Sequence, residues 1–234
     1  QAGSTTAFGS ASPLTLSNTA GVLVDLNNYN VTVGALAGGG ATGGNITLGS
    51  GNLTVGADSG TGSFGTGISG TGGVTKTGRG SETFTGQNTF TGVFTHQGGA
   101  TFLGNTNGAA LFNGQGGKVV VDNIYGNSGS DWFSRLQMNA ANQLGSNVAV
   151  EFKSTSGGNS YFVLNGFDQS IGNLSMNGTG PFIIEATEGL TTPGPSRLTI
   201  NQTVDGSFKG YVRDGNWNGG TGTLALTKNG AANL

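Results

Sequence analysis

The acidic side chains are the most numerous titratable groups in this chain that could take part in catalysis. There are 11 Asp and Glu residues, and they are scattered, with the pairs Glu185 with Glu188 and Asp205 with Asp214 close in sequence. Hydrolysis of a glycosidic bond needs two carboxyl groups at a set separation. Carboxylates distant in sequence can meet in the fold, but the scattered pattern predicts solvated surface acids and no catalytic pair.

His96 is the single histidine, and the chain has no cysteine. A transition-metal site would have to combine His96 with carboxylates, which is a poor ligand set for zinc. No G-x-S-x-G motif supplies the nucleophile of a catalytic triad, and glycine strings such as Gly70–Gly73 lack the lysine and the helix of a phosphate loop. We expect His96, in the strand after Phe94, to face outward. The sequence predicts no catalytic, cofactor or metal site.

Aromatic residues in loop-like surroundings are the remaining candidates for contact with a ligand or partner. Trp132 lies near Tyr125, and Trp217 lies near Tyr211. Exposed aromatic rings beside Asn and Asp can stack on sugars or dock a protein. The alternative is that these rings pack within an irregular part of the fold.

The composition excludes several classes of protein. Of the 234 residues 48 are Gly, 4 are Pro and 9% are charged, where a typical domain has roughly 25% charged residues. Low charge argues against a disordered chain, and Gly lacks the three-residue period of collagen. The formal net charge of −2 gives no electrostatic footprint for nucleic acid. No apolar run approaches the ~18 residues of a membrane helix, so we expect no membrane insertion.

Apolar residues alternate with Thr, Ser or Ala along most of the chain, and turns rich in Gly and Asn separate these runs. This period of two is typical of short strands that bury one face. One segment, Ser130–Leu144, also fits a capped helix. We prefer a strand there, with Leu136 and Met138 on one face and Asn139–Gly145 as a turn. The sequence predicts an all-β fold with little or no helix.

A recurrence of phenylalanine about every 20 residues indicates a β-solenoid. Phe64, Phe84 and Phe102 are spaced by 20 and 18 residues, close to one coil of a solenoid with two or three strands. About 20 residues per coil predicts about 10–12 coils and a rod on the order of 50 Å long. We expect four phenylalanines to fill the interior: Phe84, Phe90, Phe94 and Phe102. We expect three threonines to form outward ladders: Thr75, Thr85 and Thr91.

Two sequence patterns occur twice. The segment VTKTG at Val74–Gly78 returns as LTKNG at Leu226–Gly230. Leu26–Leu36 matches Leu164–Leu174 at a constant offset of 138. Different offsets between the two pairs indicate insertions between strands, which solenoids tolerate.

The second Thr-Lys copy stops where the first continues, which is typical of a segment of a longer repetitive chain. We therefore predict a single β-solenoid segment over residues 1–234. Partial internal copies are expected around 9–104 and 145–234.

The motifs resemble a known family. The segments GVTKTGRG (73–80), TFTGQNTFTG (83–92) and GGATF (98–102), followed by NAANQLGS (139–146) and LNGFDQSIG (164–172), are similar to the autotransporter-associated β-strand repeat. The match is specific over about 72–104 and 136–176, and Phe90 stands where that family usually has Tyr. The resemblance implies a right-handed parallel β-helix in a large exported bacterial surface protein.

These observations predict a non-catalytic structural segment of a secreted or cell-surface bacterial protein, such as an adhesin, fibre or matrix component. It would act as a stiff rod that associates with itself, end to end or laterally, or that binds host or cell-surface glycans or proteins. The alternative is a carbohydrate-binding or polysaccharide-cleaving β-helix that uses Trp132 or Trp217. A second alternative is a passive stalk that presents another domain.

Overall fold

The computed structural model describes residues 1–112, 116–126, 134–187, 194–215 and 221–234. Within these ranges the chain forms short strands joined by turns, and no helix occurs in them. The strands in chain order are β1 (Leu14–Leu16), β2 (Leu23–Asp25), β3 (Val31–Thr32), β4 (Leu36–Gly38), β5 (Asn45–Thr47), β6 (Leu53–Val55), β7 (Gly62–Phe64), β8 (Ile68–Ser69), β9 (Val74–Lys76), β10 (Ser81–Phe84), β11 (Val93–His96), β12 (Gly99–Leu103), β13 (Lys118–Val121), β14 (Ser134–Met138), β15 (Ala149–Lys153), β16 (Ser160–Val163), β17 (Gln169–Ile171), β18 (Leu174–Asn177), β19 (Phe182–Glu185), β20 (Ser196–Asn201), β21 (Tyr211–Arg213) and β22 (Leu224–Asn229).

The strands stack into three faces of a β-solenoid, and the strand pairs among the described residues are parallel. Face 1 has the order β1-β4-β7-β10-β12-β14-β16-β19-β21, and face 3 runs from β3 through β6, β9, β11, β13 and β15 to β18. Face 2 consists of β2-β5-β8 at one end and β17-β20-β22 at the other. Parallel bridges from Asn88 to Leu111 and from Leu111 to Leu144 lie between these two parts. The predicted all-β solenoid is confirmed.

The solenoid has about 8 turns, so the predicted 10–12 coils were too many. The reason is the variable length of a coil. Partners on face 1 can be as close in sequence as Ser81 and Ala100 or as distant as Gly99 and Ser134. Extra residues lie in the connections and add no height, so about 8 steps of ~4.8 Å give a stack of roughly 40 Å.

The interior is a continuous apolar column formed by the inward side chains of all three faces. Phe84, Phe90 and Phe94 are fully buried, as predicted. Phe84 and Phe94 meet edge to face with ring centroids 5.9 Å apart. Such pairs add to the free energy gained from burying the rings.

Phe102 does not lie in the interior, and that prediction was wrong. Register with β10 places Thr101 beside Glu82 and Leu103 beside Phe84. Because side chains alternate along a strand, Thr101 and Leu103 point inward and Phe102 points outward. There its ring lies 5.3 Å from the guanidinium carbon of Arg135.

An outward threonine ladder runs along face 3. Thr75 is paired with Thr54 on one side and Thr95 on the other, and Thr54 is paired with Thr32. Thr85 and Thr91, which were also predicted to form ladders, are exposed but lie in the turns after β10 and before β11. The prediction therefore holds for Thr75 only.

Two further regions bear on the expected alternation of buried inner and exposed outer side chains. On the outer side of face 1, Tyr161, Val163 and Ile183 form a small separate buried cluster. In β14, Leu136 and Met138 both point inward, and the turn after Met138 leads to the Leu144 bridge. This confirms the strand interpretation for the described part of Ser130–Leu144.

Candidate functional site

Four polar side chains are enclosed at one corner of the solenoid, where face 3 leads into face 1. We call Lys76, Glu82, His96 and Thr101 the buried polar corner, and none of the four is accessible to solvent. Lys76 and His96 are neighbours across the β9–β11 ladder, and Glu82 and Thr101 are neighbours across the β10–β12 ladder. Two adjacent coils therefore supply two residues each.

Lys76 is held by three backbone carbonyl groups. Its Nζ donates hydrogen bonds to the carbonyl oxygens of Gly78 at 3.0 Å, Gly80 at 2.6 Å and Gly98 at 2.7 Å. An ammonium group has three N–H donors, so this set satisfies it fully. Gly78 has a positive φ of 72°, which only Gly adopts easily and which turns its carbonyl toward the lysine. Gly98 belongs to the next coil, so Lys76 links two coils.

The Glu82 carboxyl group occupies space that a glycine leaves open. Its Oε2 accepts a hydrogen bond of 3.2 Å from the Leu36 N–H. A Cβ atom at Gly62 would lie 2.5 Å from Oε2 and 2.6 Å from Oε1. Among the described residues Oε1 has no hydrogen-bond partner, which disfavours a charged carboxylate there.

Burial shifts the proton affinities of these groups in opposite directions. Loss of hydration raises the pKa of Glu82 to about 8, against the opposing effects of the Leu36 N–H and Lys76. Loss of hydration also lowers the pKa of Lys76 to about 8, although Glu82 counteracts this. Near neutral pH Glu82 therefore holds a proton and is uncharged, whereas Lys76 is charged and loses its proton at about pH 8.

His96 lies in the interior, so the prediction that it faces outward was wrong. It has the same parity along β11 as the buried Phe94, and its Nδ1 lies 2.8 Å from Thr101 Oγ1. Burial lowers the pKa of His96 well below its usual value, and the charges of Lys76 and Arg135 add to this. The ring is therefore neutral and cut off from any dissolved substrate, which suits a structural role.

The sequence predictions missed Lys76 and Glu82 as interior residues, although a signal was present. In Val74-Thr75-Lys76 and Glu82-Thr83-Phe84 the charged residue has the parity of a buried apolar one. Alternation alone places both charges inside. The general expectation that charged residues are exposed concealed this pattern.

The second Thr-Lys segment repeats the local geometry at the end of the stack. Lys228 Nζ donates a 2.9 Å hydrogen bond to the Gly230 carbonyl, and Gly230 has a positive φ of 83°. Lys76 is enclosed, whereas Lys228 is exposed. The turn therefore forms at both sites, and among the described residues only the first is covered by another coil.

The four aromatic residues predicted as contacts have different positions. Tyr125 packs against Gly98, its hydroxyl oxygen accepts a 2.9 Å hydrogen bond from the Gly78 N–H, and the guanidinium carbon of Arg79 lies 5.3 Å from its ring centroid. It thus braces the outside of the buried polar corner. Tyr211 is 64% exposed in β21. Trp132 and Trp217 lie outside the described residues, and contact of these aromatics with a ligand stays a prediction.

The acid pairs that lie close in sequence are engaged separately. Glu185 is buried and forms an ion pair with Arg213, whose Nε lies 2.7 Å from Oε2, and Glu188 lies outside the described residues. The carboxylates of Asp205 and Asp214 each accept a backbone N–H, from Asn233 and Leu224.

The described part of the chain contains no group of three or more His, Asp or Glu residues placed to hold a metal ion. It also contains no helix that is both long and apolar enough to span a bilayer.

One segment of the chain is similar to a known surface protein. It is 51% identical over 49 residues to a protein named Adhesin BmaC autotransporter, from Brucella suis biovar 1 (strain 1330). The match covers 21% of this chain and 1% of the adhesin. No family model matches the chain. No solved structure matches it either. The chain thus has a β-solenoid fold and a partial similarity to an autotransporter adhesin.

Proposed function

We propose that this chain is a non-catalytic rod segment of a secreted or cell-surface bacterial protein, of the kind found in autotransporter passengers. The observation that supports this best is the stack itself, in which about 8 turns share one continuous apolar column. The partial similarity to an autotransporter adhesin supports the surface location. We further propose that residues 1–234 form a single solenoid segment with partial internal copies around 9–104 and 145–234.

The role of a rod is mechanical, and the corners supply part of its stiffness. Asn30 Oδ1 accepts a 2.9 Å hydrogen bond from the Asn52 N–H one coil on, and Asn52 Oδ1 accepts a 2.7 Å bond from the Gly73 N–H in the coil after that. Asn88 accepts from the Ile68 N–H and donates to the Ala110 carbonyl, both at less than 3 Å. Side chains thus tie successive coils where the backbone ladder is interrupted.

Adhesion or self-association is the activity that we propose for this rod. Its outer surface has few charges and carries the threonine ladder of face 3. A flat, weakly charged sheet surface favours contact with other surfaces. The partners that fit are a second copy of the chain or glycans and proteins at a cell surface.

Two measurements test this function. Small-angle X-ray scattering of the purified chain is expected to give an elongated particle with an axial length near 40 Å plus its end segments. Antibodies raised against the chain are expected to label intact cells of the source bacterium. Labelling only after permeabilisation would contradict a surface role, and release of reducing ends from a polysaccharide panel would contradict a non-catalytic one.

A further inference from the structure

Asparagine followed by glycine is a reactive pair, and four such pairs lie in the described part of the chain. They are Asn107-Gly108, Asn165-Gly166, Asn177-Gly178 and Asn229-Gly230. Asn is among the chemically least stable residues. A following Gly makes its side-chain amide more open to attack by the next backbone nitrogen, because no Cβ shields that nitrogen. Two further pairs, at 113–114 and 218–219, lie outside the described residues.

The reaction open to such a pair is deamidation within the chain. The Gly backbone nitrogen attacks the side-chain Cγ of Asn, and the new N–Cγ bond closes a succinimide ring. The Cγ–Nδ2 bond breaks, and Nδ2 leaves as ammonia with the proton that the backbone nitrogen gives up. Water from the solvent then opens the ring. Breaking the N–Cγ bond leaves Asp, and breaking the bond from N to the main-chain carbonyl carbon leaves isoaspartate.

The peptide group between the two residues controls this attack, because the reaction depends on how the two reacting atoms are oriented. A peptide group is planar, so its C=O and its N–H turn together. The Gly nitrogen reaches Cγ only when this plane rotates about the Cα–C bond of Asn. A hydrogen bond to either the C=O or the N–H opposes that rotation and must break first.

In three of the four pairs this peptide group is held by a hydrogen bond. The partner is a side chain in two of them and a backbone N–H in the third. The bonds are Gln87 Nε2 to the Asn107 carbonyl at 2.7 Å, the Gly166 N–H to Ser196 Oγ at 3.0 Å, and the Gln202 N–H to the Asn229 carbonyl at 3.0 Å. Rotation of any of these three planes therefore costs a hydrogen bond.

The Asn177-Gly178 pair differs from the other three. It lies where β18 ends, and both residues are exposed. Among the described residues, neither the Asn177 carbonyl, nor its side-chain amide, nor the Gly178 N–H has a hydrogen-bond partner. A Cβ atom at Gly178 would meet no atom of these residues closer than 3.4 Å. This peptide plane therefore has both the freedom and the space to rotate.

We propose that Asn177 is a site of spontaneous deamidation in the folded protein, with water as the co-reactant. The fold selects it because its peptide group is the unheld one of the four. The product has a carboxylate in place of a neutral amide, so the formal net charge changes from −2 to −3. The exposed Lys153 is the partner of Asn177 in the β15–β18 ladder, and the new negative charge therefore forms beside a positive one.

This modification goes beyond the proposed rod function and does not depend on it. On a rod that stays outside the cell, the outer side of face 3 would gain negative charge with age. Antibody labelling of cells and measurement of deamidation are separate experiments, so failure of one leaves the other standing.

Peptide mapping by mass spectrometry tests the proposal on the purified chain, incubated at mildly alkaline pH. Trypsin releases Asn165 and Asn177 in one peptide, from Ser154 to Arg197, because no Lys or Arg lies between these ends. The two sites are thus compared within one sample. Deamidation at Asn177 is expected to be about tenfold faster than at Asn165, as the loss of one hydrogen bond implies. Equal rates, or a faster reaction at Asn165, would overturn the proposal.

The same incubation in urea separates the fold from the local sequence. Unfolding removes the hydrogen bonds and leaves each Asn-Gly pair unchanged. The rates at Asn165 and Asn177 are therefore expected to converge. If Asn177 stays as far ahead in urea as in the folded chain, local sequence selects it and the role assigned to the fold is wrong.

Gln87→Ala tests the protective hydrogen bond itself. It removes the donor to the Asn107 carbonyl at an exposed position, and circular dichroism shows whether the variant remains folded. Deamidation at Asn107 is expected to become about tenfold faster, while the rate at Asn177 stays the same. An unchanged rate at Asn107 in the folded variant would show that holding the peptide plane does not protect. Asn177→Gln, whose longer side chain requires a larger ring, is expected to abolish modification at that position.

Discussion

The Lys76 ammonium group donates a 2.7 Å hydrogen bond to the carbonyl oxygen of Gly98, which lies at the corresponding corner of the next coil. The same nitrogen also binds two carbonyls of its own corner. A residue type that is almost never buried is thus enclosed because the backbone around it supplies every acceptor it needs. The motif that contains Lys76 is therefore a joint between coils.

Replacing Lys76 by Met tests this joint. The variant keeps an apolar stem of similar length but leaves buried carbonyls without the ammonium donor. We expect the free energy of unfolding to fall by about 2–4 kcal/mol, measured by urea denaturation. Lys228→Met is the matched control in the exposed copy of the motif, and its expected change is within about 0.5 kcal/mol. Equal effects of the two changes would contradict a role for burial.

The pH dependence of stability tests the buried carboxyl group. Glu82 has a pKa of about 8 in the folded state and 4.5 as its usual value. Between these pH values the folded state holds a proton that the unfolded state lacks, so the contribution of Glu82 to stability falls as pH rises.

Glu82→Gln cannot titrate, so its stability relative to the native chain is expected to increase by about 1–2 kcal/mol between pH 6.5 and 8. Glu151→Gln is the control, since Glu151 forms a surface ion pair with Lys118. A Glu82→Gln profile parallel to that of the native chain would show that Glu82 is charged when folded.

Lys76 is expected to act in a different pH window. Its pKa of about 8 lies below its usual 10.5, so between these values the unfolded state holds the extra proton. Stability is therefore expected to rise with pH from about 8 to 10.5, and Lys76→Met abolishes this rise. Thermal unfolding at several pH values between 8 and 10.5 measures this rise. If stability instead falls over this range, and falls equally in Lys76→Met, the pKa of Lys76 is not lowered.

Gly62 leaves the space for the Glu82 carboxyl group, so Gly62→Ala is expected to be strongly destabilising. The new Cβ would meet both carboxyl oxygens and the Leu36 carbonyl, and the backbone carbonyl cannot move away. We expect a loss of at least about 3 kcal/mol by denaturation. Gly116→Ala is the control, because no atom of the described residues lies within 4 Å of a Cβ atom there. A Gly62→Ala variant of native stability would mean that the corner repacks freely.

Tyr125→Phe distinguishes a brace from a ligand contact. The change removes the hydroxyl group that bonds to the Gly78 N–H and to Thr77 Oγ1. We expect a loss of about 1–2 kcal/mol in unfolding free energy and unchanged binding on a glycan array. Tyr29→Phe, at a partly exposed position, is expected to change neither quantity. Loss of glycan binding at native stability would restore Tyr125 as a ligand contact.

Alternation of residues predicts the architecture, because the period of two reports directly which side chains share a face. It gives the strands of Phe84 and Phe94 and the strand at Leu136. The number of coils does not follow from it, since the lengths of connections such as that between Gly99 and Ser134 are set by loops without periodicity.

The buried polar corner was less predictable for a different reason. His96 has the parity of Phe94 and Lys76 that of Val74, so the pattern placed both inside, whereas their polarity argued for the surface. What decides between the two is the position of carbonyls and hydroxyls in the next coil, such as Gly98 and Thr101. Those contacts depend on register between coils, which sequence alone does not show.

The unequal number of residues in successive coils affects how the length of the rod relates to the length of the chain. Residues 19 apart and residues 35 apart occupy the same single step on face 1. The height of the rod therefore depends on the number of stacked strands and not on the number of residues in each coil. As a result, mass per unit length varies along the axis while the distance between coils stays constant. An insertion in the connection at one corner can thus enlarge a single coil, while the coils above and below it keep their spacing and orientation.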